Sequence, residues 1–252
     1  MIVYALRSKL VRPRTRIIDT LAESIRKRGL SLKNKDIVAV SSKVVAISEG
    51  RVRELSSVEP SEEARALAQR YALSPEFAQI VLDESDEILG GVKGFLLTTR
   101  NGDATANAGV DKKNAPPGSV VLWPQNPDSS ARRLRQSLYQ RYRKRAGVVI
   151  VDSRVAPLRI GTVGFAIGCS GIEPLRDLRG SLDVHDRRVR VTRHAIADSI
   201  AGAAQLLMGE ANEQTPFIIV RGAPAVFGRS GISRTRLVLK DCLYLNGIPH
   251  PR

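Results

Sequence analysis

Three carboxylates stand at the ends of strongly patterned segments: Asp111 in NAGVD, Asp152 at the end of GVVIVD, and Glu210 at the end of LLMGE. Element ends are where loops build sites on a rigid scaffold. Carboxylate oxygens suit hard cations such as Mg2+ or Mn2+, and Ser153 adds a hydroxyl beside Asp152, a pairing common where a cation bridges nucleotide phosphates. Taken singly, each acid more often serves as a helix cap or a surface charge, and spacing alone does not bring the three together. No G-x-x-x-x-G-K-[ST] occurs, and no G-x-G-x-x-G follows a strand. The histidines, His185, His194 and His250, are scattered, so the common nucleotide folds and a histidine zinc site are disfavoured.

The elements that must position these acids are legible from periodicity. Residues 2–6 (IVYAL) read as a strand, 17–29 as an amphipathic helix closed by Gly29, and 36–41 (DIVAVS) as a strand buried on both faces that runs into a turn or helix start at SSKVV. Helical patterns follow in EEARALAQRYAL and in residues 75–89, the latter opening on Pro75. Strands at 94–99 and 103–110 flank Asn101 and Gly102 as a hairpin. Residues 128–145 form a helix capped by Asp128, Ser129 or Ser130. Its seven basic residues read as a solvated face over Leu134, Leu138 and Tyr142 in preference to a nucleic-acid helix. A buried strand at 147–152, a Gly-rich stretch at 161–171, an Ala-rich helix at 192–208 and a strand at 217–222 complete the pattern. Without regular βαβ alternation the class is α+β, as a single unit over residues 1–252 in which two subdomains are allowed and no boundary is marked.

Composition narrows the function. Lys and Arg total 40 against 25 acidic residues, a formal charge of +15, so the surface attracts anions. Aromatics at 4% leave little for base stacking, which counts against single-strand nucleic-acid binding. No apolar run approaches a membrane span and the start lacks a signal-peptide layout, so a cytoplasmic location is expected. Cys169 and Cys242 are too few for a disulfide framework and are expected as buried thiols. Several other residues carry a plain reading beside a functional one. Glu84 and Ser85 read as a helix-surface pair, His194 as a packed or capping residue, and Trp123 as packing at a subunit or domain edge. Arg176, Asp177 and Arg179 suit a surface salt-bridge cluster or a phosphate. Arg221 suits an ion pair or an anion.

The segments DIVAVSSKVVAISEGRV, EFAQIVLDESDEIL, NAGVDKKNAPPGSVVLWPQNPDSSARRLR, GVVIVDS, VGFAIGCSGIEPLRDLRG and ADSIAGAAQLLMGE, in that order, resemble those of the coenzyme F420-0:L-glutamate ligase (γ-glutamyl ligase) family, over about residues 2–222. The resemblance implies a mixed-sheet fold, an intertwined homodimer, and a GTP-dependent ligase that phosphorylates the terminal carboxylate of F420-0 and lets the amine of L-glutamate attack the acyl phosphate. It implies Mg2+ or Mn2+, with K+ as a further candidate, and anionic small-molecule substrates that suit a basic chain, not a membrane or a specific nucleic acid. Carried over residue by residue, Asp111, Asp152, Ser153 and Glu210 would hold metal, and Asn114, Ser41 and Ser42 would meet the guanine nucleotide together with residues 8–11. The resemblance assigns no catalytic residue.

The chain departs from the family pattern at four positions in three places. Ile47 stands where a phosphate-binding lysine is usual, and Lys43 would share its face if this turn is helical and so reach the same nucleotide phosphate in its place. Val155 and Ala156 replace a glycine and an arginine after Asp152, and Asp186 replaces a glycine. These changes keep two further readings open: a paralogous ligase joining a different acid and amine, and a non-catalytic anion or nucleic-acid binder on the same scaffold.

Overall fold

Strand β2 (Ile37–Ser41) shows why the central sheet forms: Ile37, Val38, Ala39 and Val40 are all fully buried, so both faces of the strand must be covered. The computed structural model, which describes residues 1–247, covers them with helices on each side. His250 lies outside the described residues. In chain order β1 (Ile2–Leu6) and α1 (Ile17–Lys27) precede β2, and α2 (Ser42–Ser48), β3 (Val52–Glu54), α3 (Glu62–Tyr71) and α4 (Pro75–Glu84) follow it. Next come β4 (Glu87–Val92), β5 (Phe95–Arg100), β6 (Asp103–Ala106), β7 (Ser119–Val121), α5 (Pro127–Tyr142), β8 (Gly147–Val155) and β9 (Thr162–Ser170). The short pair β10 (Leu175–Asp177) and β11 (Arg193–Ala195), then α6 (Ile196–Met208) and β12 (Phe217–Arg221), complete the set.

The main sheet has the order β1-β12-β2-β8-β9, antiparallel throughout except for the parallel pair β2 and β8. The fold is thus mixed α and β on a mixed sheet. Alternate residues divide between two cores. Val38, Val40, Val148 and Ile150 face α1 and α5, while Ile37, Ala39, Val149 and Val151 face α6. Helix α1 presents Ile18, Leu21, Ala22 and Ile25, the i, i+3, i+4, i+7 stripe expected of a half-buried helix, and Gly29 closes it at φ +66°. A smaller core gathers Phe77, Ile80, Val81, Leu96, Val120 and Leu122 between α4, the β4-β5-β6 sheet and the β3-β7 pair. Among the described residues no helix is long and apolar enough to cross a membrane.

Several expected boundaries shift for local reasons. The second helical pattern stops at Glu84 instead of reaching residue 89, because Ser85 turns extended at ψ 148° and the Asp86 amide donates to Thr99 O at 2.7 Å, which starts the sheet. The hairpin around Asn101 and Gly102 forms, but its second strand ends at Ala106, where Asn107 and Ala108 take positive φ. The cap of α5 is Asn126, whose side chain accepts from the Ser129 amide at 3.0 Å. Pro127, lacking an amide hydrogen, fits the first helical position. Asp128 instead accepts from the amides of Cys169, at 2.8 Å, and Ile232, at 3.0 Å, and so fastens the helix start to β9 and to the C-terminal segment. Leu134 and Leu138 are buried under α5 as the stripe predicts, and among its basic residues Arg133 pairs with Glu49, Arg141 pairs with Asp19, and Arg135 donates to Ala146 O at 3.2 Å.

The Gly-rich stretch is the long strand β9, and the Ala-rich helix begins at Ile196 because residues 193–195 pair with β10. Trp123 is 2% exposed within the main core and not at an edge. Of the two thiols Cys169 is buried, whereas Cys242 is only half-buried. Asp177 bridges Arg179 and Arg193, the surface cluster, and Arg221 pairs with the buried Asp36 at 2.8 Å. His194 lies exposed, 3.2 Å from Ser199 Oγ.

Candidate functional site

The parallel strands β2 and β8 end side by side, with Ser41 opposite Val151, and this places Asp152 and Ser153 next to the start of α2. In open mixed sheets, such carboxyl ends are where ligands gather. Helix α2 follows β2 without a loop, so Ser42 and Lys43 are fixed at the same edge. Asp111 reaches it from the other side: its backbone pairs with Val121 of β7 through two 2.9 Å hydrogen bonds. Glu210 arrives just past α6, where Gly209 at φ +72° ends the helix.

Two clefts meet at this edge. The first, about 500 Å3, is lined by residues 8–13, by Ser41, Lys43 and Ile47, by Asn114 and by the 209–216 loop. The second, about 1200 Å3, lies over the smaller core, lined by Phe77, Phe95, Trp123, Val155 and Leu158 among others. Lys43, Lys113, Asp152, Ser153 and Glu210 border both, and Asp111 and Ser42 border the second. Of the expected metal-site residues, Asp152, Ser153 and Glu210 border both clefts and Asp111 the second; of the expected nucleotide-site residues, Lys43 borders both, Ser41 and Asn114 the first, and Ser42 the second.

Charges at the junction are paired across it. Lys43 Nζ is 2.7 Å from Asp111 Oδ2, and Lys113 Nζ is 2.8 Å from Glu210 Oε2. The Lys113 amide also donates to Asp111 Oδ1 at 2.7 Å, and Gln205 donates to Glu210 Oε1 at 2.6 Å. Burial raises the Glu210 carboxyl, but the hydrogen bonds from Lys113 and Gln205 prevail and hold it below the usual range. The same bond to Glu210 raises the Lys113 ammonium. Asp152 is different. No basic side chain among the described residues forms an ion pair with it. Its Oδ2 accepts from Trp123 Nε1 and its Oδ1 from the Ser153 amide at 2.9 Å. Burial pushes its carboxyl up, with the more distant Lys43 ammonium opposing.

Among the described residues no three His, Cys, Asp or Glu side chains converge closely enough to hold one metal ion in this arrangement. An all-oxygen donor set with one half-buried carboxylate lacking an ion-pair partner nevertheless fits a hard cation of the Mg2+ type. Such ions take one or two protein carboxylates and complete their shell from phosphates and water.

The expected substitutes also find their places. Helix α2 is formed, so Lys43 and Ile47 do share a face and both line the first cleft. Val155 and Ala156, the two departures after Asp152, line the second. Asp186 lies in an exposed turn at φ +58°, a left-handed conformation that glycine adopts freely, and that departure is a matter of turn geometry away from both clefts.

Sequence reasoning missed a buried charge network behind the junction. Glu84, read as a helix-surface acid, bridges Arg51 and Arg100 with its side chain 12% exposed. Lys113 was also passed over. Its neighbours in NAGVDKKNA gave the only signal: a lysine two residues from a candidate ligand and one from the candidate nucleotide contact.

Comparison with known proteins gives the chain its family. The family model described as F420-0:Gamma-glutamyl ligase matches residues 5–222. A protein of Methanopyrus kandleri named coenzyme F420:L-glutamate ligase is 38% identical over 233 residues, 92% of this chain and 90% of its own. Proteins of the same name from Archaeoglobus fulgidus, 41% identical over 81% of this chain and 82% of theirs, and from Methanocaldococcus jannaschii, 40% identical over 78% and 79%, are also similar. Asp111, Asn114, Asp152, Ser153 and Glu210 all fall inside the matched span, and the chain belongs to the F420-0:gamma-glutamyl ligase family.

Proposed function

We propose that this acid–amino-acid ligase adds L-glutamate to F420-0 through a γ-glutamyl amide, with GTP as phosphate donor and a divalent cation at the junction. The observation that carries the reading is the meeting of two unlike clefts at Asp152, Ser153 and Glu210, where Lys43 and Lys113 also lie. The first cleft, with Ser41 and Asn114 on its wall, takes the nucleotide. The larger, more apolar second cleft takes the deazaflavin, so that the terminal carboxylate and the γ-phosphate meet between the acids.

A carboxylate oxygen of F420-0 attacks the γ-phosphorus, the bond to the β-phosphate oxygen breaks, and GDP leaves. The glutamate amine then attacks the acyl carbon, phosphate departs, and the nitrogen gives up a proton as the amide forms. Lys43 and Lys113 supply ammonium donors to phosphoryl oxygens once their present carboxylate partners turn to the cation. A cation held by Asp152 with Asp111, Ser153 and Glu210 would supply Lewis-acid neutralisation of phosphate charge. The working form is a homodimer, a reading supported by the strongly exposed Leu158 and Ile160 beside the second cleft.

The test is mass spectrometry of a reaction holding the purified chain, F420-0, L-glutamate, GTP and Mn2+ or Mg2+. A product heavier by one or more glutamyl units, lost in Asp152→Asn, is expected. Ile47 on the first cleft favours one rival, a ligase for a different acid and amine. Retained GTP binding with no glutamylated F420 would move the assignment there.

A further inference from the structure

Trp123 is the sole tryptophan of the chain, and it is gripped from every side. Arg51 Nε donates to its carbonyl at 3.0 Å, the Arg100 guanidinium lies 5.9 Å from its ring centre, and Phe165 packs at 6.0 Å with a 51° tilt. Beneath it Gly109 holds φ +72°, and a Cβ there would overlap the indole nitrogen. Glu84 binds both arginines, and Arg100 also donates to Ala108 O at 3.1 Å, which ties the residue before Gly109 into the same frame. A buried ring held this firmly has one polar atom, Nε1, and it is aimed at Asp152 Oδ2.

We propose that Trp123 is the positioning residue of Asp152: its indole N–H, with the Ser153 amide on the other oxygen, fixes the rotation of the carboxylate and so the lone pairs it offers to a cation. A carboxylate has about four acceptor positions. Two are taken by these donors, one on each oxygen, which leaves about two on a carboxylate that lines both clefts. Hydrogen bonds behind a ligating carboxylate orient the ligand, and their loss typically costs ten- to a hundredfold in metal affinity. The inference rests on the reading that Asp152 holds the cation.

Mn2+ binding to the full-length chain, followed by the electron paramagnetic resonance signal of the free ion, tests it with Trp123→Phe and Asp152→Asn side by side. Trp123→Phe keeps a buried ring and removes the donor. Its Mn2+ dissociation constant should rise about tenfold or more while GDP affinity measured without cation stays unchanged. Undiminished Mn2+ binding in Trp123→Phe, alongside loss in Asp152→Asn, would overturn the positioning role and leave the cation site standing. Undiminished binding in both would remove the cation from Asp152 and the proposal with it. A second measurement needs no substitution. The 15N-labelled chain has one indole N–H cross-peak, which should move when Mg2+ is added, and a peak that stays in place counts against the proposal.

Discussion

Glu84 carries one negative charge between two guanidinium groups, and of the three side chains Arg100 is the most enclosed at 6% exposure. Burial depresses the Arg100 guanidinium, and Glu84 opposes that shift, so the acid compensates an arginine that stays charged. Replacing the acid by an isosteric amide would leave two enclosed positive charges facing each other. Breaking a buried pair by removing one partner costs about 3–5 kcal/mol, far more than the roughly 0–1 kcal/mol of a surface bridge. Glu84→Gln should therefore lose at least about 2 kcal/mol in urea unfolding, whereas removing the exposed acid in Asp177→Asn should leave the urea midpoint nearly unchanged. Equal losses in the two variants would mean that Glu84 behaves as the surface acid that its helical context suggests. Because the same arginines hold Trp123, Glu84→Gln should also loosen the ring that faces Asp152.

At the scale of elements, β9 shows how far the pattern could be read. Its sequence TVGFAIGCS alternates until Ile167, where a bulge places an extra residue opposite Ile150 and reverses which face the following side chains take. Phe165 and Ile167 face one core, Ala166 and Cys169 the other, and the glycines fall where helices approach closely. A Cβ on Gly164 would overlap the Ala201 carbonyl of α6, and backbone cannot yield as a flexible side chain would. Gly164→Ala should cost about 1–3 kcal/mol by overpacking, seen as a lower denaturant midpoint with unchanged slope. Through Gln205, which holds Glu210, the displacement reaches the junction as well. A variant as stable as the parent would show that α6 can shift freely. Strands buried on both faces, such as β2, and helices with a clean apolar stripe, such as α1, were legible because burial alone dictates their pattern. The Gly-rich strand was not, since its glycines answer to α5 and α6, which are distant in sequence. Of the site, the acids were visible at element ends, but the lysines paired with them and the tryptophan behind Asp152 depend on long-range packing that no local period encodes.

For the whole molecule, the excess of 40 basic over 25 acidic residues makes the long-range field positive, which favours capture of anionic nucleotide and carboxylate substrates. The same field would keep copies of the chain apart unless an apolar surface outweighed it. Such a surface lies at the connection between β8 and β9 and the strand ends that flank it: Val155 is 60% exposed, Val163 46%, and Leu158 and Ile160 are fully exposed. Single exposed apolar residues need no explanation, but four within nine positions, beside the cleft proposed for the deazaflavin, form a collar that a second copy would cover. A two-fold arrangement places the same collar at both ends of a closed contact, so that each copy shields the other. Light scattering at micromolar concentration should then give about twice the 27.5 kDa of one chain. The double variant Leu158→Glu with Ile160→Glu should return it to the single mass, because four carboxylates would have to be desolvated across the pair. A parent chain that runs at the single mass would remove the second copy from the site, and the collar would then have to be covered by substrate alone.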